Sequence, residues 1–162
     1  MSRNIHPFIR LALCSQLLWP VVASADAAYD SLINQARSGN YGPALNLLRQ
    51  MPAERQTPGQ VSDHLLIASW ARQDAEVLTV YEAQGRSRTL TTQALATVAR
   101  TYRNQQRWEP AIAVYRQALL REPNNPDLQL GLALTQADAG QTAEAVQRTR
   151  ALVAAKPDDA DR

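Results

Sequence analysis

The sequence predicts an all-α stack of helical hairpins, and three observations predict it. The composition is 45% hydrophobic and 20% charged, which is globular and not that of a disordered tail. Among 162 residues there are 27 Ala and 15 Gln against a single Phe and 6 Gly, a mix that favours helix and is short of what strands need. Second, residues recur at a period of 34: Ala99 with Ala133, Ala111 with Ala145, Pro123 with Pro157. Third, Leu95, Val98, Ala99 and Tyr102 fall at i, i+3, i+4 and i+7, one apolar stripe along a helix.

Taken in chain order, residues 1–25 read as an export signal. Arg3 and Arg10 precede a mostly apolar run from Phe8 to Val22, and Ala23-Ser24-Ala25 forms a small-x-small cleavage site. The run is broken by Ser15, Gln16 and Pro20 and is too short to span a bilayer. Acylation of Cys14 is disfavoured because Leu13 stands where a small residue is required. Cleavage between Ala25 and Asp26 leaves a mature chain without cysteine, suited to an oxidising compartment. From residue 26 onward there are 15 basic and 15 acidic residues, so bulk charge gives no basis for nucleic-acid binding.

The mature chain divides into four units: 26–57, 58–91, 92–125 and 126–159, with 160–162 as a short tail. In the first, helix A is expected from about Tyr29 to Arg37 and helix B from Pro43 to Gln50, joined by the turn Gly39-Asn40-Tyr41. In the second, Val61–Ala71 and Ala75–Gln84 form the pair, with Ile67, Trp70, Val77 and Tyr81 expected in the core and a turn about two residues shorter than the third unit's. The third unit is the most regular. Leu95, Ala99 and Tyr102 mark its helix A; Trp108, Ala111, Ile112, Tyr115 and Ala118 mark helix B; Pro123 follows, and the residue before proline avoids helix. In the fourth, Ala133, Gly140 and Ala145 keep the pattern, but Gln129, Gln136 and Thr149 replace large apolar residues. These positions match the tetratricopeptide repeat, with small residues where two helices press together. The third unit is therefore expected to be the stability centre.

A closer resemblance rests on three stretches: Ala28 through Leu45, opening directly after the signal; Leu66 through Tyr81; and Ala99 through Trp108. Together they resemble the amino-terminal periplasmic segment of the poly-β-1,6-N-acetyl-D-glucosamine export porin family, in order and over essentially the whole mature chain. The resemblance implies a tetratricopeptide array in the periplasm that engages the polymer, its periplasmic deacetylase, or both, ahead of an outer-membrane β-barrel. No barrel signal occurs in this sequence, and none of its segments is expected to insert into a membrane. The chain stops at Pro157–Arg162, where helix A of a fifth repeat and eventually a capping helix are expected. It therefore reads as the amino-terminal part of a longer protein.

Nothing in the sequence is organised for catalysis. Ser62-Asp63-His64 has the letters of a triad, but adjacent residues on a helix point in different directions, and triad geometry is a matter of spatial convergence. Asp63 reads instead as a helix amino-terminal acid or cap and His64 as a partly exposed filler. Asp158, Asp159 and Asp161 lack the glycine and glutamate spacing of a calcium loop. No cofactor motif or metal-ligand set is found. What remains is binding. In tetratricopeptide stacks the A helices line the concave face, and the positions off their core stripes meet a ligand; here these include Arg100, Arg103 and Asn104 in the third unit and Asp127, Leu134 and Asp138 in the fourth. Arginine forks and a carboxamide are donors suited to sugar hydroxyls, acetamido carbonyls or a partner's carboxylates, whereas acidic groups such as Asp63, Asp74 and Asp138 suit a partly deacetylated, cationic polymer. Trp70 and Tyr102 read as core between helices. The main reading is polysaccharide export; the alternative is a periplasmic scaffold that binds proteins only.

Overall fold

The computed structural model describes residues 19–154, with side chains from Asp26 onward. The expected export signal up to position 18, with Cys14, and the tail with Pro157, Asp158, Asp159 and Asp161 lie outside the described residues. Among the described residues eight α-helices follow one another: α1 (Trp19–Arg37), α2 (Tyr41–Gln50), α3 (Pro58–Trp70), α4 (Asp74–Val80), α5 (Thr92–Asn104), α6 (Trp108–Leu119), α7 (Pro126–Asp138) and α8 (Thr142–Ala154). A 3₁₀ turn, Ala53–Arg55, follows α2, and a π-turn, Tyr81–Gly85, extends α4. No strand occurs among the described residues. Helix α1 begins earlier than the apolar pattern indicated and includes Ala25 and Asp26.

The repeat is written into the helix ends. Helices α3, α5 and α7 start at residues 58, 92 and 126, each behind a side chain that caps it. The Thr57 hydroxyl accepts from the Gln60 amide and the Gln60 side chain accepts from the Thr57 amide, a closed capping box; Thr91 accepts from Ala94, and Asn125 from Asp127 and Leu128. Proline in the first turn of α3 and α7 has no amide to leave unpaired.

The carboxyl ends of the A helices are equally uniform. Each closes with a residue in the left-handed region: Gly39 (φ 97°), Arg72 (58°), Gln106 (58°) and Gly140 (79°). Around each one the same two bonds recur. The Gln106 amide donates to the Arg103 carbonyl and the Arg107 amide to the Tyr102 carbonyl, just as Gly39 and Asn40, Arg72 and Gln73, and Gly140 and Gln141 reach back to their own helices. This is the Schellman closure, and it needs a residue that tolerates positive φ. It also corrects the expected turn lengths: the second hairpin's turn is Ala71–Gln73 and the third's Gln105–Arg107, three residues each.

Each A helix packs against the next A helix, and each B helix against its own and the following A helix. The A helices thus lie closer together than the B helices, which places them on the inner side of the stack. Leu95, Ala99, Tyr102, Ala111 and Ala118 are fully buried and Tyr115 nearly so, while Pro123 sits exposed in the turn after α6. In α8, by contrast, Ala145 is the one buried residue. The core expectation fails at Trp70, which is 36% exposed at the end of α3; Ile67, Val77 and Tyr81 carry that hairpin's core instead.

The left-handed positions generate a prediction. Gln106→Gly should raise stability by up to about 1 kcal/mol by removing a Cβ from positive φ, and Gly140→Ala should lower it by about 1 kcal/mol. Urea melts of the two variants check the opposite signs.

Candidate ligand groove

The chemistry on the surface begins with the three residues that mimic a triad, because the fold sends them in three directions. The Ser62 hydroxyl donates to the Pro58 carbonyl at 2.9 Å and accepts from the Thr91 amide at 3.0 Å, tying α3 to the cap of α5. Asp63 is not a cap; it accepts from the Tyr29 hydroxyl of α1 at 2.7 Å. Burial, then this bond, pushes the Tyr29 phenol above its ordinary value. His64 is not a partly exposed filler but is buried, with Nε2 2.7 Å from Glu76 Oε1 of α4. Its Nδ1 is buried without a partner among the described residues. Glu76 also takes a bidentate bond from Arg49 of α2, at 2.9 and 2.6 Å. These groups fasten helices together; none of them faces a shared reacting position.

A second fastening lies between the second and third hairpins. The Tyr102 hydroxyl donates to Glu82 at 2.9 Å, Arg107 pairs with the same carboxylate at 3.0 Å, and the Arg107 guanidinium lies 4.6 Å from the Tyr102 ring centre. Tyr81 meets Tyr102 edge-on at 6.1 Å. Tyr102 is therefore core, as its place on the stripe indicated, with its polar end satisfied as buried tyrosines require.

The concave side holds a groove of about 210 Å³ between α5 and α7. Arg100 and Arg103 line it from α5, Tyr115 from α6 beneath, and Asp127, Leu130 and Leu134 from α7. Leu130 and Leu134 are 45% and 42% exposed. Burial raises the Tyr115 phenol, and the two guanidiniums pull it part of the way back. Gly131 is what lets α7 come this close: a Cβ there would stand 2.6 Å from the Tyr115 ring.

Of the four side chains singled out from sequence, Arg103 and Asp138 meet each other, Nε to Oδ2 at 2.6 Å, so they form a strap from α5 to α7. Arg100 is exposed and lines the groove, whereas Asn104 is exposed at the end of α5 but is not among the groove's lining residues. The two leucines were the signal the sequence reading underused: both lie off the buried stripe of α7. Among the described residues no cluster of His, Cys, Asp and Glu is placed to hold a metal ion, and no helix is long and apolar enough to cross a membrane.

With this geometry in hand, comparison with known proteins is direct. The tetratricopeptide repeat family model matches residues 93–162. Two curated relatives, the poly-beta-1,6-N-acetyl-D-glucosamine export proteins of Escherichia coli strain K12 and of Escherichia coli O157:H7, are each 41% identical over 143 residues, 88% of this chain. The chain spans 17% of the length of these relatives.

The Arg49–Glu76–His64 set, in which only His64 is buried, has a pH consequence. The Arg49 hydrogen bond lowers the Glu76 carboxyl below its ordinary 4.5, burial opposes this, and His64 lowers it further. A carboxyl whose folded value is depressed stabilises fully above its unfolded value, and that share is lost as pH falls through the folded value. Glu76→Gln should therefore cost about 1 kcal/mol at pH 7 and flatten the loss of stability below pH about 4.5. Thermal melts across acid pH check both effects; an unchanged acid limb would remove Glu76 from the account.

Proposed function

As a tetratricopeptide-repeat solenoid similar to a segment of the export proteins, this chain, we propose, is the binding region of a polysaccharide export protein and not an enzyme. It is exported by its amino-terminal signal, processed between Ala25 and Asp26, and works in the periplasm as part of an outer-membrane protein. Its role there is to hold the poly-N-acetylglucosamine chain, the periplasmic deacetylase that acts on it, or both, during secretion of a biofilm polysaccharide.

The observation that carries this reading is the groove between α5 and α7. It sets the guanidiniums of Arg100 and Arg103 beside two half-exposed leucines, Leu130 and Leu134. Paired cationic forks with apolar surface suit a protein segment bearing carboxylates and apolar side chains. The Arg103–Asp138 strap pairs off one charge of each sign, so Arg100 and the half-exposed leucines carry the preference for a protein segment over a cationic, deacetylated sugar. The concave groove therefore favours the deacetylase over the bare polymer as its occupant. This observation also supports the narrower reading of a periplasmic protein scaffold, which differs in making no contact with sugar anywhere on the molecule.

The test is NMR titration of the chain with a purified periplasmic deacetylase of the polymer. The expected result is shifts at Arg100, Arg103 and Leu134, and at least tenfold weaker binding for Leu134→Glu, equal to about 1.4 kcal/mol. Absence of binding, or shifts confined to the B helices, would contradict the assignment of this groove.

A further inference from the structure

A second opening lies between the third and fourth hairpins, and the preceding repeat supplies the reference for reading it. Between the second and third hairpins the equivalent notch is closed from within. The Glu82 carboxylate accepts from the Tyr102 hydroxyl at 2.9 Å and pairs with Arg107 at 3.0 Å, and the Arg107 guanidinium lies across the Tyr102 ring. One period later each of these residues has changed: Arg116 stands for Glu82, Gln136 for Tyr102 and Gln141 for Arg107, while Arg148 replaces Val114. The ring is gone, and the acid has become a guanidinium. What remains is a groove of about 400 Å³ among α6, α7 and α8, lined chiefly by Arg116, Gln129, Gln136, Glu144, Gln147 and Arg148.

The exchange leaves donors without an acceptor. Arg116 is exposed on α6 and Arg148 partly buried on α8, and among the described residues neither guanidinium is in an ion pair. Glu144, the one acid of the lining, is exposed in the first turn of α8 and pairs with neither. Beneath them Gln136 is 1% exposed. Its Oε1 accepts from Arg148 Nε at 3.3 Å, and its Nε2 donates to Gln141 Oε1 at 3.4 Å. The first of these contacts holds Arg148 by Nε alone and leaves its two Nη groups as an unused fork, the shape that takes a carboxylate through paired N–H donors. The three carboxamides both donate and accept, so they set no preference of sign. The charged groups set it: two unpaired cations from two helices, one repeat after the same notch is closed by an acid.

We propose that this notch binds a carboxylate from outside the chain, held between the guanidiniums of Arg116 and Arg148 in the role that Glu82 fills one repeat earlier. An acidic side chain of a protein segment and a free carboxylic acid both offer that group. The inference takes its ligand from the exchange of residues between two equivalent notches and stands whether or not the concave groove holds a partner. Solvent-facing ion pairs are individually weak and are screened by salt, so affinity for a short acidic segment is on the order of millimolar at low ionic strength.

The experiment is NMR titration of the full chain at low salt with an end-blocked tetraglutamate peptide, with end-blocked tetraglutamine, and with succinate. Saturable shifts at Arg148 Nε and at the Gln136 side-chain amide are expected with tetraglutamate, at least fivefold stronger than with tetraglutamine and fading as salt is added. Succinate separates the two sources within the proposal: binding as strong as the peptide's assigns a free acid, and weaker binding assigns a protein segment. Arg116→Glu, which restores the acid of the preceding repeat, should abolish the shifts while the chain stays folded by circular dichroism. Arg148→Gln, which leaves the notch open, should weaken them. Arg100→Ala, in the concave groove, should leave them in place, which separates failure here from failure of the concave assignment. Non-saturating shifts, an equal response to tetraglutamine, or retention of binding in Arg116→Glu would each overturn the proposal.

Discussion

The structure depends on how closely two helices of a hairpin can approach. Ala99 and Ala111 are fully buried in the packed pair α5 and α6, as are Ala94 and Ala118. With side chains of one carbon at the crossing, the axes come together and the larger residues, Leu95, Val98, Tyr102, Ile112 and Tyr115, are left to fill the spaces between hairpins. A wider crossing would turn α6 away from α7 and open the concave groove as well as the core. The groove's shape is thus a consequence of alanines that never touch its surface.

Around that crossing, the backbone is tied by devices that repeat with the same period. Capping side chains start α3, α5 and α7, and a left-handed residue ends every A helix. Arginines then join one hairpin's exit to the next. Arg88 donates to the Gln56 and Ala53 carbonyls, and Arg121 to the Leu90 carbonyl. Gln56 and Leu90 are buried, each directly precedes a capping threonine, and they stand one period apart, so the same carbonyl is satisfied twice in the same way. Between such ties the array keeps a nearest-neighbour character, in which each hairpin's stability rests on the ones beside it.

Much of this was legible in the sequence because it is local or periodic. The stripes, the prolines and the small residues of the third hairpin follow from helical spacing, and resemblance to the export proteins supplied the family. Other features were hidden for identifiable reasons. Trp70 lies on the apolar side of its helix by spacing but at its last residue, where neighbours cover it only in part. His64 looked like surface because histidine usually is partly exposed; its partners, Glu76 and Arg49, come from two other helices that periodicity does not align. The equal turns of the second and third hairpins were hidden because Arg72 and Gln106 close their helices at positive φ without a glycine to mark the place. Gln136 was read as a defect in the core stripe. Its burial without a strong partner is a tertiary fact, set by what the facing helices lack.

The claim that the small-residue crossing governs the stack is tested most directly by enlarging it at two equivalent positions, one fully buried and one in the sparsely packed last hairpin. In denaturant melts, Ala111→Leu should cost on the order of 1–3 kcal/mol, and Ala145→Leu distinctly less. Equal losses from the two substitutions would contradict the account.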